Sequence, residues 1–205
     1  MATLNPMLVF ELMGVFVFAL SGALAAARQK MDVFGYVVLA LLPAVGGGTL
    51  RDLILNTSVF WVEESVYILV AVFAGILTYV VSIKVGQRYT VLEWADAIGL
   101  SLFCVMGTSK SLALTGDPVI AVTLGVVTAV VGGILRDVIC NEIPLILKRE
   151  IYATAALIGA IIYCGGIGLG FEETLALVLG GIAAFAVRSM ALIFGWSLPI
   201  RERKA

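Results

Sequence analysis

Apolar residues run along this chain in seven long stretches, over residues 7–27, 33–55, 66–83, 94–114, 119–140, 151–169 and 174–194. Each approaches the roughly 20 apolar residues a helix needs to cross the hydrocarbon of a bilayer. The connections are short, and none is long enough to form a domain. The pattern predicts an all-α integral membrane protein: seven transmembrane helices in a single membrane domain over residues 1–205. The first stretch has no basic residue ahead of it, and Glu11 interrupts its start. A secretory signal opens with a positive region, so this stretch is expected to remain as a mature span.

The polar residues between the stretches set the orientation. Arg28 and Lys30 follow span one, Lys84 and Arg88 span three, Lys148 and Arg149 span five, and Arg201, Arg203 and Lys204 span seven. All nine then fall on one side. The opposite connections carry Glu63, Glu64, Asp117, Glu172 and Glu173. The positive-inside rule places the N-terminus outside and the basic tail, residues 196–205, in the cytoplasm.

Composition narrows the function. The chain is 61% apolar and 13% charged, with a mean hydropathy of +1.11. A soluble domain carries nearly twice that charge, so a soluble enzyme, a nucleic-acid binder and a disordered chain are all excluded. The net charge of -1 supplies no field to recruit a polyanion. There is no His, which removes the commonest general base and metal ligand. Cys104, Cys140 and Cys164 lie in apolar runs without CxxC spacing and read as buried small residues. No cofactor and no tightly bound metal are expected. Trp61, Trp94 and Trp196 fall near span ends, as an aromatic belt predicts.

The chain also repeats itself. Sliding it by 85 residues lays residues 44–56, AVGGGTLRDLILN, on 129–141, AVVGGILRDVICN, with nine of thirteen positions identical. The same ungapped offset pairs Glu11 with Asp96, Gly14 with Gly99, Phe18 with Phe103, Gly22 with Gly107, Asp32 with Asp117 and Tyr67 with Tyr152. Each copy (about 11–84 and 96–169) holds three spans. An odd count sends the second copy into the membrane from the opposite face, an inverted repeat with a pseudo-two-fold axis in the membrane plane. Helix seven, about 172–195, stands outside the repeat.

Gly46, Gly47 and Gly48 sit past the middle of span two, and Gly132 and Gly133 in the matching place in span five. Consecutive glycines weaken a helical turn, and Pro43 removes a further amide donor. Spans two and five are therefore expected to kink or unwind here, freeing carbonyls toward a polar path. The backbone oxygens of Gly46, Gly47 and Gly132 are then transient sites for potassium or sodium. The competing reading is close helix packing through small residues.

Arg51-Asp52 and Arg136-Asp137 follow these glycines in both copies. An ionised side chain near mid-bilayer costs at least about 2.5–3.5 kcal/mol. The two pairs read either as charged vestibules flanking a central constriction or as ion pairs anchoring each helix end. Lys110, beside Thr108, Ser109 and Ser111, has Ala25 as its repeat equivalent, so its charge breaks the symmetry. It either snorkels to the outer interface or faces the path and responds to voltage. Thr49 and Ser109 are further polar candidates for the path. Arg188 reads as an inner anchor or a subunit-contact residue. Glu11 and Asp96 are expected in the first turns of their helices, where a carboxylate suits the dipole.

The run Gly-Gly-Gly-Thr-Leu-Arg-Asp at 46–52 with Val-Phe-Trp downstream resembles the prokaryotic relatives of the trimeric intracellular cation channels. So does Asp-Ala-Ile-Gly-Leu at 96–100, followed by Gly-Thr-Ser-Lys at 107–110 and Gly-Gly-Ile-Leu-Arg-Asp at 132–137. The resemblance covers nearly the whole chain. It implies a homotrimer in the inner (plasma) membrane, with seven helices per subunit. It also implies one potassium-permeable pore per subunit around the kinked helices two and five. Carried over by position, the hinges are Gly46–Gly48 and Gly132–Gly133, with Arg51, Asp52, Lys110, Arg136 and Asp137 near the pore. The animal channels carry a Lys-Glu-Val segment that contacts phosphoinositide. Here the aligned residues are Val131-Gly-Gly-Ile-Leu, so phosphoinositide binding is not expected, and the remaining partners are membrane lipids and monovalent cations.

The leading expectation is a passive monovalent cation channel. The alternative is a secondary transporter of a small amino acid such as glycine, since inverted repeats suit both. An intramembrane enzyme is disfavoured, because there is no His and no Ser/Lys or paired-Asp constellation at matched depth.

Overall fold

A computed structural model describes residues 6–85, 89–148 and 151–197. The side chain of Lys84, and Arg88, Arg149, Arg201, Arg203 and Lys204, lie outside the described residues. The chain folds as α1 (Pro6–Arg28), α2 (Val33–Ile54), a short α3 (Phe60–Glu63), α4 (Val66–Val85), α5 (Tyr89–Thr115), α6 (Pro118–Ile139), α7 (Ala153–Gly168) and α8 (Glu173–Phe194). A single 3-10 turn, Leu145–Leu147, precedes α7. Among the described residues, five helices are long and apolar enough to cross a membrane: α1, α2, α5, α6 and α8. Two apolar segments are shorter, Val66–Val81 and Ala153–Gly168. At 1.5 Å per residue α7 measures about 24 Å. The sequence places its start at 151, but Ile151 and Tyr152 precede the helix, with Tyr152 buried at its N-cap.

Local signals explain the helix ends. Asp32 and Asp117, one repeat apart, cap α2 and α6: Asp32 accepts from the amide of Gly35, and Asp117 from Val119 and Ile120. Asn56 and Asn141 follow α2 and α6 at φ of 50° and 54°, a left-handed position that Asn tolerates better than most residues.

The helices pack as two triplets. One is α1, α2 and α4; the other is α5, α6 and α7, and α8 covers α5 and α7. The triplets meet through α1 against α5 and α2 against α6, so each equivalent pair packs on itself. Phe18 stacks on Phe103, its own counterpart, with ring centroids 5.1 Å apart. A Cβ at Gly47 would land on the carbonyl oxygen of Thr128, and one at Gly132 would lie 2.5 Å from that of Pro43. Thr128 is the counterpart of Pro43, so these two approaches are one contact made twice.

Both α2 and α6 run as continuous helices through the glycines, so neither helix unwinds there. The glycines let two backbones touch, which is how small residues join helices in lipid.

Candidate functional site

Two charged clusters occupy opposite ends of the seam between the triplets. In the first, Arg51 closes onto its neighbour: its Nε and Nη2 each lie 2.8 Å from Asp52 Oδ1. Lys110 reaches the same oxygen from α5 at 2.9 Å. The other carboxylate oxygen accepts from the amide of Phe60 at 3.0 Å, pinning α3 against the end of α2. Asp52 is fully buried, so two cations and an amide compensate its charge. Lys110 thus turns its ammonium to Asp52 while its side chain stays partly exposed.

The second cluster repeats this plan and adds to it. Arg136 Nε lies 2.8 Å from Asp137 Oδ1, and Asp137 Oδ2 accepts from the amide of Leu145 at 3.0 Å. Arg136 Nη1 then crosses to α5, 2.6 Å from Asp96 Oδ1, and donates to Ser21 on α1 at 3.0 Å. Arg136, Asp96 and Ser21 are wholly buried. Asp96 is thus no dipole partner in a first turn. It sits two turns into α5 and neutralises Arg136. Its counterpart Glu11 is likewise past the first turn of α1, where it accepts a hydrogen bond from Tyr67.

A small cavity of about 20 Å³ lies beside the first cluster, lined by Glu11, Gly48, Arg51, Tyr67, Phe103 and Met106 among others. It has room for about one water. The counterparts of these residues at the other end, including Asp96, Arg136, Tyr152 and Ser21, are packed solid. Position 106 accounts for part of this. It presents Met where the other copy presents Ser21, so Arg51 has no hydroxyl to cross to.

The remaining expected residues divide. Thr49 donates to the carbonyl of Val45 and accepts from the Trp61 indole at 2.8 Å, so it anchors α3. Ser109 donates to Glu173 on α8 at 2.7 Å and does not join the Arg51 cluster. Arg188 is not at a subunit surface: it is buried, donates to the carbonyl of Ile151 at 3.3 Å and lies over the Tyr152 ring. Glu11, Asp96 and the two tyrosines belong to the clusters, and sequence reasoning missed their pairing. The signal was available, because all four are matched at the repeat offset and carry polarity inside apolar spans.

A bundle of apolar helices built twice on one plan, with charged clusters at both ends of its central seam, defines a membrane protein of a duplicated class. Comparison with known proteins gives the family. The family model described as "Glycine transporter" matches residues 8–82 and again 93–167, at the internal spacing seen here. A UPF0126 membrane protein of Vibrio cholerae is 40% identical, covering 92% of this chain and 80% of that protein. The UPF0126 inner membrane protein YadS of Escherichia coli is also 40% identical, covering 92% and 93%. The crystal structure of a trimeric intracellular cation channel orthologue from Rhodobacter sphaeroides superposes with a TM-score of 0.89 at 44% identity, covering 93% of this chain and 99% of that one. The chain belongs to this family of bacterial membrane proteins, prokaryotic relatives of the trimeric intracellular cation channels.

Proposed function

We propose that this protein is a passive monovalent cation channel, permeable to potassium, with one route per subunit of a homotrimer in the inner membrane. The route follows the seam where α1, α2, α5 and α6 meet. Seven helices span the bilayer, α4 and α7 among them, as two inverted triplets plus α8. The N-terminus lies outside, so the Arg51 cluster faces out and the Arg136 cluster faces in. Gly46–Gly48 and Gly132–Gly133 are the points at which α2 and α6 bend when the seam opens.

One observation carries this reading: buried Arg–Asp clusters stand at both ends of a seam closed at its middle by bare glycine backbone, with a water-sized polar cavity beside one of them. Intramembrane ionisable groups mark ion pathways more often than structural sites. The narrowness describes a closed state. The crystallised channel orthologue, related over nearly all of its length, supports the same activity.

The purified protein in potassium-loaded liposomes tests this. Efflux rising linearly with potassium, or unitary currents, is expected. Saturable glycine uptake driven by an ion gradient, without such currents, would replace the channel with the carrier.

A further inference from the structure

In the Arg136 cluster, Arg136 Nη2 is fully buried and has no hydrogen-bond partner among the described residues, while the Tyr152 hydroxyl pairs with the Asp96 carboxylate. The cluster closes around Gly133, where an added Cβ would lie 2.9 Å from the Tyr152 oxygen, 3.6 Å from Asp96 Oδ1 and 3.7 Å from Arg136 Nη2. Buried polar atoms are ordinarily satisfied, and leaving them bare is costly. Arg136 Nη2 is a cationic donor left over once Asp96, Asp137 and Ser21 are served, and water entering beside Gly133 would accept from it.

The counterpart at the other end shows the alternative arrangement. There Glu11 is held by Tyr67, Arg51 stays on Asp52, and the space between them is the water-sized cavity. The two ends, built on one plan, therefore stand in two conformations: Arg off the α1 carboxylate with a cavity, and Arg on the α5 carboxylate without one.

We propose that the Asp96–Arg136–Tyr152 cluster is the closed gate of the route. Opening carries Arg136 off Asp96 and Ser21 while it keeps its hold on Asp137, as Arg51 keeps Asp52. Water then fills the space around Gly133 and satisfies Arg136 Nη2. This rests on the channel reading, and the test separates the two.

The probe is potassium efflux from liposomes holding the full-length protein and its Asp96→Asn variant, which weakens the hold on Arg136. Alongside it, a Ser21→Cys reporter is labelled with a water-soluble maleimide, with and without Asp96→Asn, against the same chain retaining Ser21. The expected results are several-fold faster potassium efflux, continued exclusion of N-methylglucamine, and labelling of Ser21→Cys that accelerates only when Asp96→Asn is present. Unchanged or slower efflux from a correctly assembled Asp96→Asn protein overturns the gate. Leakage of N-methylglucamine also overturns it, by showing mere structural collapse. If neither protein passes potassium, the channel reading fails, and labelling alone decides the gate: acceleration upholds it and no change overturns it. If Asp96→Asn does not assemble, Ser21→Ala, which removes one neutral partner of Arg136, is judged by the same efflux criteria.

Discussion

The two ends of the seam use largely the same residue types at the same repeat positions, yet one encloses a water-sized cavity and at the other the matching side chains are fully buried. At the Arg51 end the guanidinium stays on the adjacent Asp52, Lys110 shares that carboxylate, and Glu11 turns to Tyr67. At the Arg136 end the guanidinium also reaches Asp96 and Ser21, drawing α1, α5 and α6 together. Met106 stands where Ser21 stands in the other copy, and Glu11 is one methylene longer than Asp96. Duplication of a sequence therefore does not duplicate its conformation: a few side chains decide whether an arginine crosses the seam or stays on its own helix.

Several substitutions would break or sharpen this contrast. The largest effect is expected at the buried arginines. Arg136→Ala leaves Asp96 and Asp137 uncompensated and should cost about 3–5 kcal/mol, read as thermal stability in detergent. Arg51→Ala should cost less than half as much, because Lys110 still holds Asp52. Equal losses would refute the idea that the ends differ. Next come the glycine contacts, where the ends should agree. Gly47→Ala and Gly132→Ala each force a methyl against a carbonyl, and each should lose about 1–3 kcal/mol by overpacking; strongly unequal losses would deny that the two approaches are equivalent. Smaller still, Asn56→Ala and Asn141→Ala should each cost about 1 kcal/mol for a left-handed residue, with little effect on ion flux. The smallest stability change belongs to Lys110→Met. It removes a partly exposed partner of a carboxylate that keeps Arg51, so about 1 kcal/mol or less is expected. Its effect on flux should exceed that of Asn56→Ala.

Much of this architecture was readable from residue order. Identity at a fixed spacing exposed the duplication, and the recurrence of Arg-Asp exposed the charged ends. The behaviour of Gly46–Gly48 and Gly132–Gly133 was not, because low helix propensity permits both an open turn and a close approach. The close approach to Thr128 and Pro43 involves partners that lie far away in sequence. Asp96 was misjudged for a related reason. A carboxylate near a helix start has a sufficient local explanation until the fold brings Arg136 to it from 40 residues away. Ser109 and Thr49 went to α8 and Trp61 because polarity names a need for a partner without naming the partner.

Lys110 has no counterpart charge, since Ala25 occupies its place in the first triplet. An ion traversing the seam would meet an extra positive charge at one mouth only. The energy profile would then be lopsided along its length, and the same driving force applied in the two directions would yield unequal currents. A chain assembled from two near-copies would in this way act as a rectifier through one unmatched ammonium.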